Sequence, residues 1–252
     1  MLRRGLAVIV LSGVVLGACG GGGDDTRPTL SDTKRPASTT TTTALPAYAS
    51  LVAHVTVPEL QVFSEPGAPA PAQSFANPWP LNDDPTLPVP LVLLVVGHQN
   101  EFLQVLLPVR PNGSTGWIRA SDARLVRNDY RILVELGAHQ ITVFQGDGVI
   151  LQEPIANGKP STPTPPGKYY LRVLLQAPDP TTVYGPYAYG LSGHSDALTE
   201  FAGGDAELGI HGNNDASVLG QSVSSGCIRM SNEGITRLAT ILPLGTPVEI
   251  VA

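Results

Sequence analysis

Glycine and proline punctuate this chain so densely that only one stretch leaves room for an unbroken helical period. There are 27 Gly and 24 Pro in 252 residues, and proline both removes a backbone donor and breaks a helix interior. What fits between the breaks is short runs of alternating or wholly apolar residues, the patterns of strands. In the first half such runs fall at 54–57, 60–64, 91–96 and 102–107. Arg110-Pro111-Asn112-Gly113 then turns into a last strand through Gly116-Trp117-Ile118. The Pro-rich stretch 66–90 reads as an ordered loop or lid. In the second half strands are expected at 131–136, 140–145, 149–156, 168–175 and 247–251, with Gly146-Asp147-Gly148 as a hairpin turn. Residues 176–206 read as long and irregular. The single helix has Ser231 or Asn232 as its cap, Glu233 in its first turn, Ile235, Leu238, Ala239 and Leu242 on one face, and Pro243 as its stop. The fold class expected is mostly β, a small β-barrel over 48–127 followed by a second β domain over 128–252 with one peripheral helix.

The amino terminus reads as an export signal rather than as part of a fold. Arg3 and Arg4 precede an apolar run at 6–16 that is short for a membrane span. The signal, residues 1–18, ends in Leu16-Gly17-Ala18-Cys19, which resembles a bacterial lipobox, so Cys19 is the expected lipidation site. The tract 19–47, with its glycine run and five consecutive threonines at 39–43, cannot bury enough apolar surface to offset chain entropy and reads as a disordered tether. As a coil of about 28 residues it would reach on the order of 30 Å, and up to roughly 90 Å if stretched. The expected location is the cell envelope, lipid-anchored on the outer face of the cytoplasmic membrane.

Charge narrows the partners. The formal net charge is −6, and losing Arg3 and Arg4 makes the mature chain about two units more acidic. No extended basic run follows residue 4, which argues against nucleic acid and against electrostatic attachment to anionic lipid. Membrane contact would then rest on the acyl chain.

With Cys19 acylated, Cys227 has no disulfide partner, since the chain contains 2 Cys. An unpaired thiol in an oxidising compartment calls for a chemical reason. Leu208-Gly209-Ile210-His211-Gly212 looks like a strand delivering a histidine at its end, and Ser224-Ser225-Gly226-Cys227-Ile228-Arg229-Met230 follows. A thiol attacks as thiolate, so it needs a proton acceptor, and an imidazolium neighbour lowers its pKa. Gly226 permits a sharp turn that would aim the Gly226 and Cys227 amides at a developing oxyanion. Arg229 would neutralise a substrate carboxylate. Spacing alone leaves a second reading open, in which Cys227 is a small buried hydrophobe and His211 a structural histidine. His54, His98 and His139 read as structural. No cofactor is called for, and no metal, because no cluster has ligand spacing.

Residues 208–230 resemble the catalytic signature of the L,D-transpeptidases, a histidine-glycine after a strand and then Ser-His-Gly-Cys-Ile-Arg. The resemblance extends over roughly 129–252 and takes in Ile155-Ala156-Asn157-Gly158, Thr162-Pro163-Thr164-Pro165-Pro166-Gly167 and Leu244-Gly245-Thr246-Pro247-Val248. It implies an L,D-transpeptidase-type β-sandwich, Cys227 as nucleophile, His211 as general base, and the Gly212 carbonyl in the orienting role. Arg229 would sit in the substrate cleft. Residues 183–201, with Tyr184, Tyr187 and Tyr189, match the lid over that cleft. Ser225 stands where the family often has histidine, and His194 is the candidate to replace it. Gly116-Trp117-Ile118 with Ser121-Asp122 resembles bacterial SH3-like domains, which implies either a wall-peptide binder or a spacer.

The activity implied is peptidoglycan cross-linking. Cys227 forms a thioester with a donor stem peptide, D-alanine leaves, and the side-chain amine of an acceptor stem takes the acyl group. The thiol nucleophile also implies acylation by carbapenem-type β-lactams. With water as acceptor the same site is an L,D-carboxypeptidase, and with Ser225 marking a dead site the chain is a peptidoglycan-binding lipoprotein. A sortase would space its His and Arg differently, and a papain-type endopeptidase places cysteine before histidine.

Overall fold

The computed structural model describes residues 45–81, 84–201 and 204–252. The expected signal, Cys19 and all but the end of the tether lie outside the described residues. The described residues form one compact unit. The fold is mostly β, as the sequence pattern predicts, with one α-helix among the described residues.

The first nine strands are β1 (Ser50–Val55), β2 (Glu59–Val62), β3 (Gln73–Ala76), β4 (Trp79–Leu81), β5 (Asp84–Val89), β6 (Val92–Gln99), β7 (Phe102–Leu106), β8 (Thr115–Arg119) and β9 (Ala123–Asn128). Five of them make an antiparallel sheet in the order β8-β7-β6-β1-β9. The Pro-rich stretch expected as a loop or lid is instead two hairpins, β2 with β3 and β4 with β5. An aromatic stack of Phe75 on Trp79, 5.0 Å between ring centroids, holds the two together. Prolines are tolerated there because these strands are edges, where a missing N–H costs no ladder bond.

The second sheet has eight strands in the order β12-β11-β10-β19-β14-β15-β16-β18. These are β10 (Tyr130–Glu135), β11 (Gln140–Gln145), β12 (Gly148–Pro154), β14 (Gly167–Gln176), β15 (Tyr187–His194), β16 (Glu207–His211), β18 (Ile228–Arg229) and β19 (Pro247–Val251). A short parallel pair, β13 (Asn157–Gly158) with β17 (Ser222–Ser224), lies beside it. The final strand lies mid-sheet, parallel to β10 and antiparallel to β14. Its alternation puts Val248 and Ile250 into the core.

The helix α1 (Asn232–Ile241) is capped by Ser231, whose hydroxyl accepts from the Gly234 amide at 2.9 Å. Ile235, Leu238 and Leu242 are buried against the sheet.

The stretch expected to be irregular contains β15, an eight-residue strand with five buried positions. Its composition hides it, because Gly190, Ser192 and Gly193 stand where strand-forming residues are usual. Packing requires those glycines. A Cβ on Gly193 would lie 2.2 Å from the Tyr169 ring, and one on Gly190 would lie 2.7 Å from Val173 Cγ1. Large side chains on β14 fill the space that β15 leaves open.

Candidate active site

β16 delivers His211 at its end, and β18 begins one residue after Cys227. These strands pair in parallel with Ile210 opposite Ile228 and His211 opposite Arg229. That register brings histidine, thiol and guanidinium to one sheet edge. His211, Ser225, Cys227 and Arg229 line one cleft. His211 and Cys227 also line a second cleft adjoining it.

The His211 ring is held from two sides. Its Nδ1 lies 2.7 Å from the Gly212 carbonyl oxygen. A carbonyl only accepts, so Nδ1 carries the proton and Nε2 of the neutral ring is left as an acceptor. Tyr184 packs edge-on against the imidazole, 5.0 Å between centroids. Burial pulls the His211 pKa down from 6.5 to about 4, the Gly212 hydrogen bond opposes this, and the Arg229 charge adds to the lowering.

The thiol is raised by burial, against lowering by a hydrogen bond from the Gly209 backbone and by the Arg229 charge. An imidazolium that lowers the thiol pKa, expected from the sequence, is therefore not the resting state. Both groups rest neutral at neutral pH, because desolvation penalises each charged form.

The loop before Cys227 is tied down atom by atom. Gly226 adopts φ +125°, a conformation that favours glycine. The Ser224 hydroxyl accepts from the Gly226 amide at 3.1 Å and donates to the Cys227 carbonyl at 2.6 Å. The Thr164 hydroxyl donates to the Gly226 carbonyl at 2.7 Å and accepts from the Gly158 amide at 2.9 Å. The Ser224 carbonyl accepts from the Lys159 amide at 3.0 Å and the Thr162 hydroxyl at 3.2 Å. The Thr-Pro-Thr-Pro loop thus braces the thiol turn, a role that long sequence separation hides.

Three expectations need correction. The Gly226 amide does not face the cleft as an oxyanion donor, because Ser224 already takes its hydrogen. Tyr189 borders the second cleft, but its hydroxyl donates to the Leu238 and Leu242 carbonyls at 3.2 and 3.0 Å, so it packs the end of α1 instead of serving as a lid. His194 lines neither cleft. It is buried with its Nε2 2.8 Å from Asp205 Oδ2, and does not replace the histidine expected at 225. Of the lid tyrosines, Tyr184 is the one that meets the histidine. Tyr189→Phe should cost about 1 kcal/mol, the worth of one buried hydrogen bond. That appears as a melting point lower by roughly 2–4 °C.

Among the described residues no group of three or more His, Cys, Asp or Glu could hold a metal ion, and no helix is long and apolar enough to cross a membrane.

The profile of the L,D-transpeptidase catalytic domain (YkuD) matches residues 129–250, from β10 to β19. The YkuD protein of Bacillus licheniformis, provisionally named an L,D-transpeptidase, is 34% identical over 154 residues, covering 58% of this chain and 85% of its own. This chain belongs to the L,D-transpeptidase family. The YkuD protein of Bacillus subtilis strain 168 is 36% identical over 121 residues, covering 48% of this L,D-transpeptidase homologue and 65% of its own length. Among solved structures, an L,D-transpeptidase from Mycobacterium tuberculosis aligns with a TM-score of 0.43 and 15% identity, over 64% of this chain and 90% of that one. Residues 129–250 contain the eight-stranded sheet up to Ile250 and every residue that lines the first of the two clefts.

Proposed function

We propose that this chain catalyses a two-step acyl transfer between peptidoglycan stem peptides through a thioester on Cys227. The observation that carries the reading is the shared cleft of Cys227 and a His211 whose Nδ1 is fixed on the Gly212 carbonyl. In the first step the thiol proton passes to His211 Nε2 as the sulfur bonds the carbonyl carbon of the donor's diamino acid. The carbon–nitrogen bond then breaks, and the imidazolium proton goes to the departing D-alanine amine. In the second step the acceptor's side-chain amine attacks the thioester and gives a proton to His211, the carbon–sulfur bond breaks, and the imidazolium returns that proton to the leaving sulfur, which regenerates the thiol with a cross-link formed. Resting neutrality suits this sequence, because the proton moves only when the substrate is in place.

The Cys227 amide donates to no protein acceptor among the described residues, which leaves it for the oxyanion. Arg229 lines the cleft with its Nε buried and without a hydrogen-bond partner, and would neutralise a substrate carboxylate. We extend the proposal to an envelope location with an acyl anchor on Cys19, supported by the order Arg3-Arg4, apolar run, Leu16-Gly17-Ala18-Cys19.

Intact-protein mass after incubation with a carbapenem tests the nucleophile. One adduct is expected on the wild type and none on Cys227→Ala, while no adduct on the wild type, or equal adducts on both, would sink the proposal. Thr164→Val keeps the shape but leaves the Gly226 carbonyl and Gly158 amide without their partner. Its adduct should form about 10- to 100-fold more slowly, as small misplacements of a reacting group do; an unchanged rate would remove the brace from the account.

A further inference from the structure

The hairpin between β7 and β8 belongs to the amino-terminal sheet, yet its tip hydrogen-bonds the backbone that walls the Cys227 cleft. Arg110 Nη1 donates to the Ser195 carbonyl at 2.6 Å, and Nη2 donates to the Leu198 and Asp205 carbonyls at 3.0 and 2.8 Å. Asn112 brackets the preceding residue, accepting from the His194 amide at 2.8 Å and donating to its carbonyl at 2.8 Å. The same Nδ2 reaches Asp196 Oδ1 at 3.1 Å. Ser195, Leu198, Ala206 and Glu207 all line the cleft with Cys227. One planar guanidinium therefore spans two stretches of the wall, 195–198 and 205–207, and adds three bonds to the two backbone ties they already share, the His194–Glu207 pairing and the Ser195 amide donating to the Ala206 carbonyl at 2.9 Å. A fork of fixed geometry does this where a flexible ammonium would not.

We infer that Arg110 is a positioning residue for the proposed acyl transfer, holding the cleft wall in register from a hairpin outside the catalytic sheet. It touches no substrate and acts through the Ser195, Leu198 and Asp205 carbonyls. The inference deepens the reading of Cys227 as nucleophile and rests on it for its kinetic consequences. Its structural consequence is independent, because the wall sets how freely any reagent reaches the thiol.

The test uses the full chain as wild type, Arg110→Ala and Arg110→Lys, with two readouts. The first is the rate of Cys227 alkylation by iodoacetamide, followed by intact mass, which needs no catalysis. The second is the split of donor kcat and KM by D-alanine release. In Arg110→Ala alkylation should quicken several-fold and donor KM rise about tenfold, with kcat held within about threefold, the signature of lost placement of bound substrate. Arg110→Lys, which keeps the stem and charge without the fork, should fall between the two, and it carries the test if the alanine variant does not fold. Wild-type alkylation and KM in a folded variant would overturn the inference, and so would a fall in kcat with KM and alkylation unchanged. If no protein, wild type included, releases D-alanine, the alkylation rates decide for Arg110 and the failure belongs to the proposed reaction.

Discussion

Cys227→Ala is expected to reduce D-alanine release from a tetrapeptide donor by on the order of 10⁴-fold or more, to the rate of the uncatalysed solution. No other described residue stands ready to take over the covalent step. Ser225 is the nearest hydroxyl by sequence and lines the cleft, but a serine hydroxyl is a far weaker nucleophile than a thiol, and the next one, Ser224, is committed to the Gly226 amide and the Cys227 carbonyl. The substitution removes one small side chain from a turn held by Thr164, Ser224 and the Lys159 amide, so the fold should survive with a change within about 1 kcal/mol. D-alanine release assayed beside the melting point separates the two effects. Loss of activity with an intact melting point is the expected pair.

His211→Asn should slow acylation by about 10²- to 10⁴-fold, the range for a lost general base. The amide keeps a donor near the Gly212 carbonyl but offers no basic nitrogen to the thiol. The pH profile gives a sharper result. With its pKa at about 4, His211 is already neutral at pH 5, so the wild-type acylation rate should stay flat from about pH 5 to neutrality. It should fall only as pH drops through about 4, where the ring takes a proton and can accept no other. An inflection near 6.5 would show an ordinary, solvated histidine. The same shift affects stability. The unfolded chain binds this proton below 6.5 and the folded one only below about 4. The contribution is thus complete above 6.5 and is lost as pH falls toward 4. In His211→Asn that part of the acid sensitivity should disappear.

What the sequence disclosed about the site was its local part. His211 at a strand end, glycine before the thiol and Ser231 capping the helix are all set by neighbours within a few positions, and all stand in the fold as read. The pairing of β16 with β18 then supplies the proximity that spacing alone left open. The remainder depends on distant partners. The Gly226 amide was misread because its acceptor is a side chain that equally well could have faced solvent. The charge state of the dyad was misread because burial, the largest influence on both groups, is a property of the packed sheet. β15 escaped because its apolar volume is supplied by Tyr169 and Val173 on another strand. Arg110 carried no signal, for its three acceptors lie 85 to 95 residues further along the chain.

In the proposed reaction an acyl group on Cys227 passes to an amine. The most direct test of this transfer is mass analysis of the peptides formed when the enzyme is mixed with a tetrapeptide stem donor and an isotopically labelled diamino-acid acceptor. Free D-alanine and a labelled cross-linked product are expected from the wild type, and neither from Cys227→Ala. Tripeptide alone, with the label never incorporated, would mean that water takes the acyl group. A labelled product made equally well by Cys227→Ala would contradict the thioester itself.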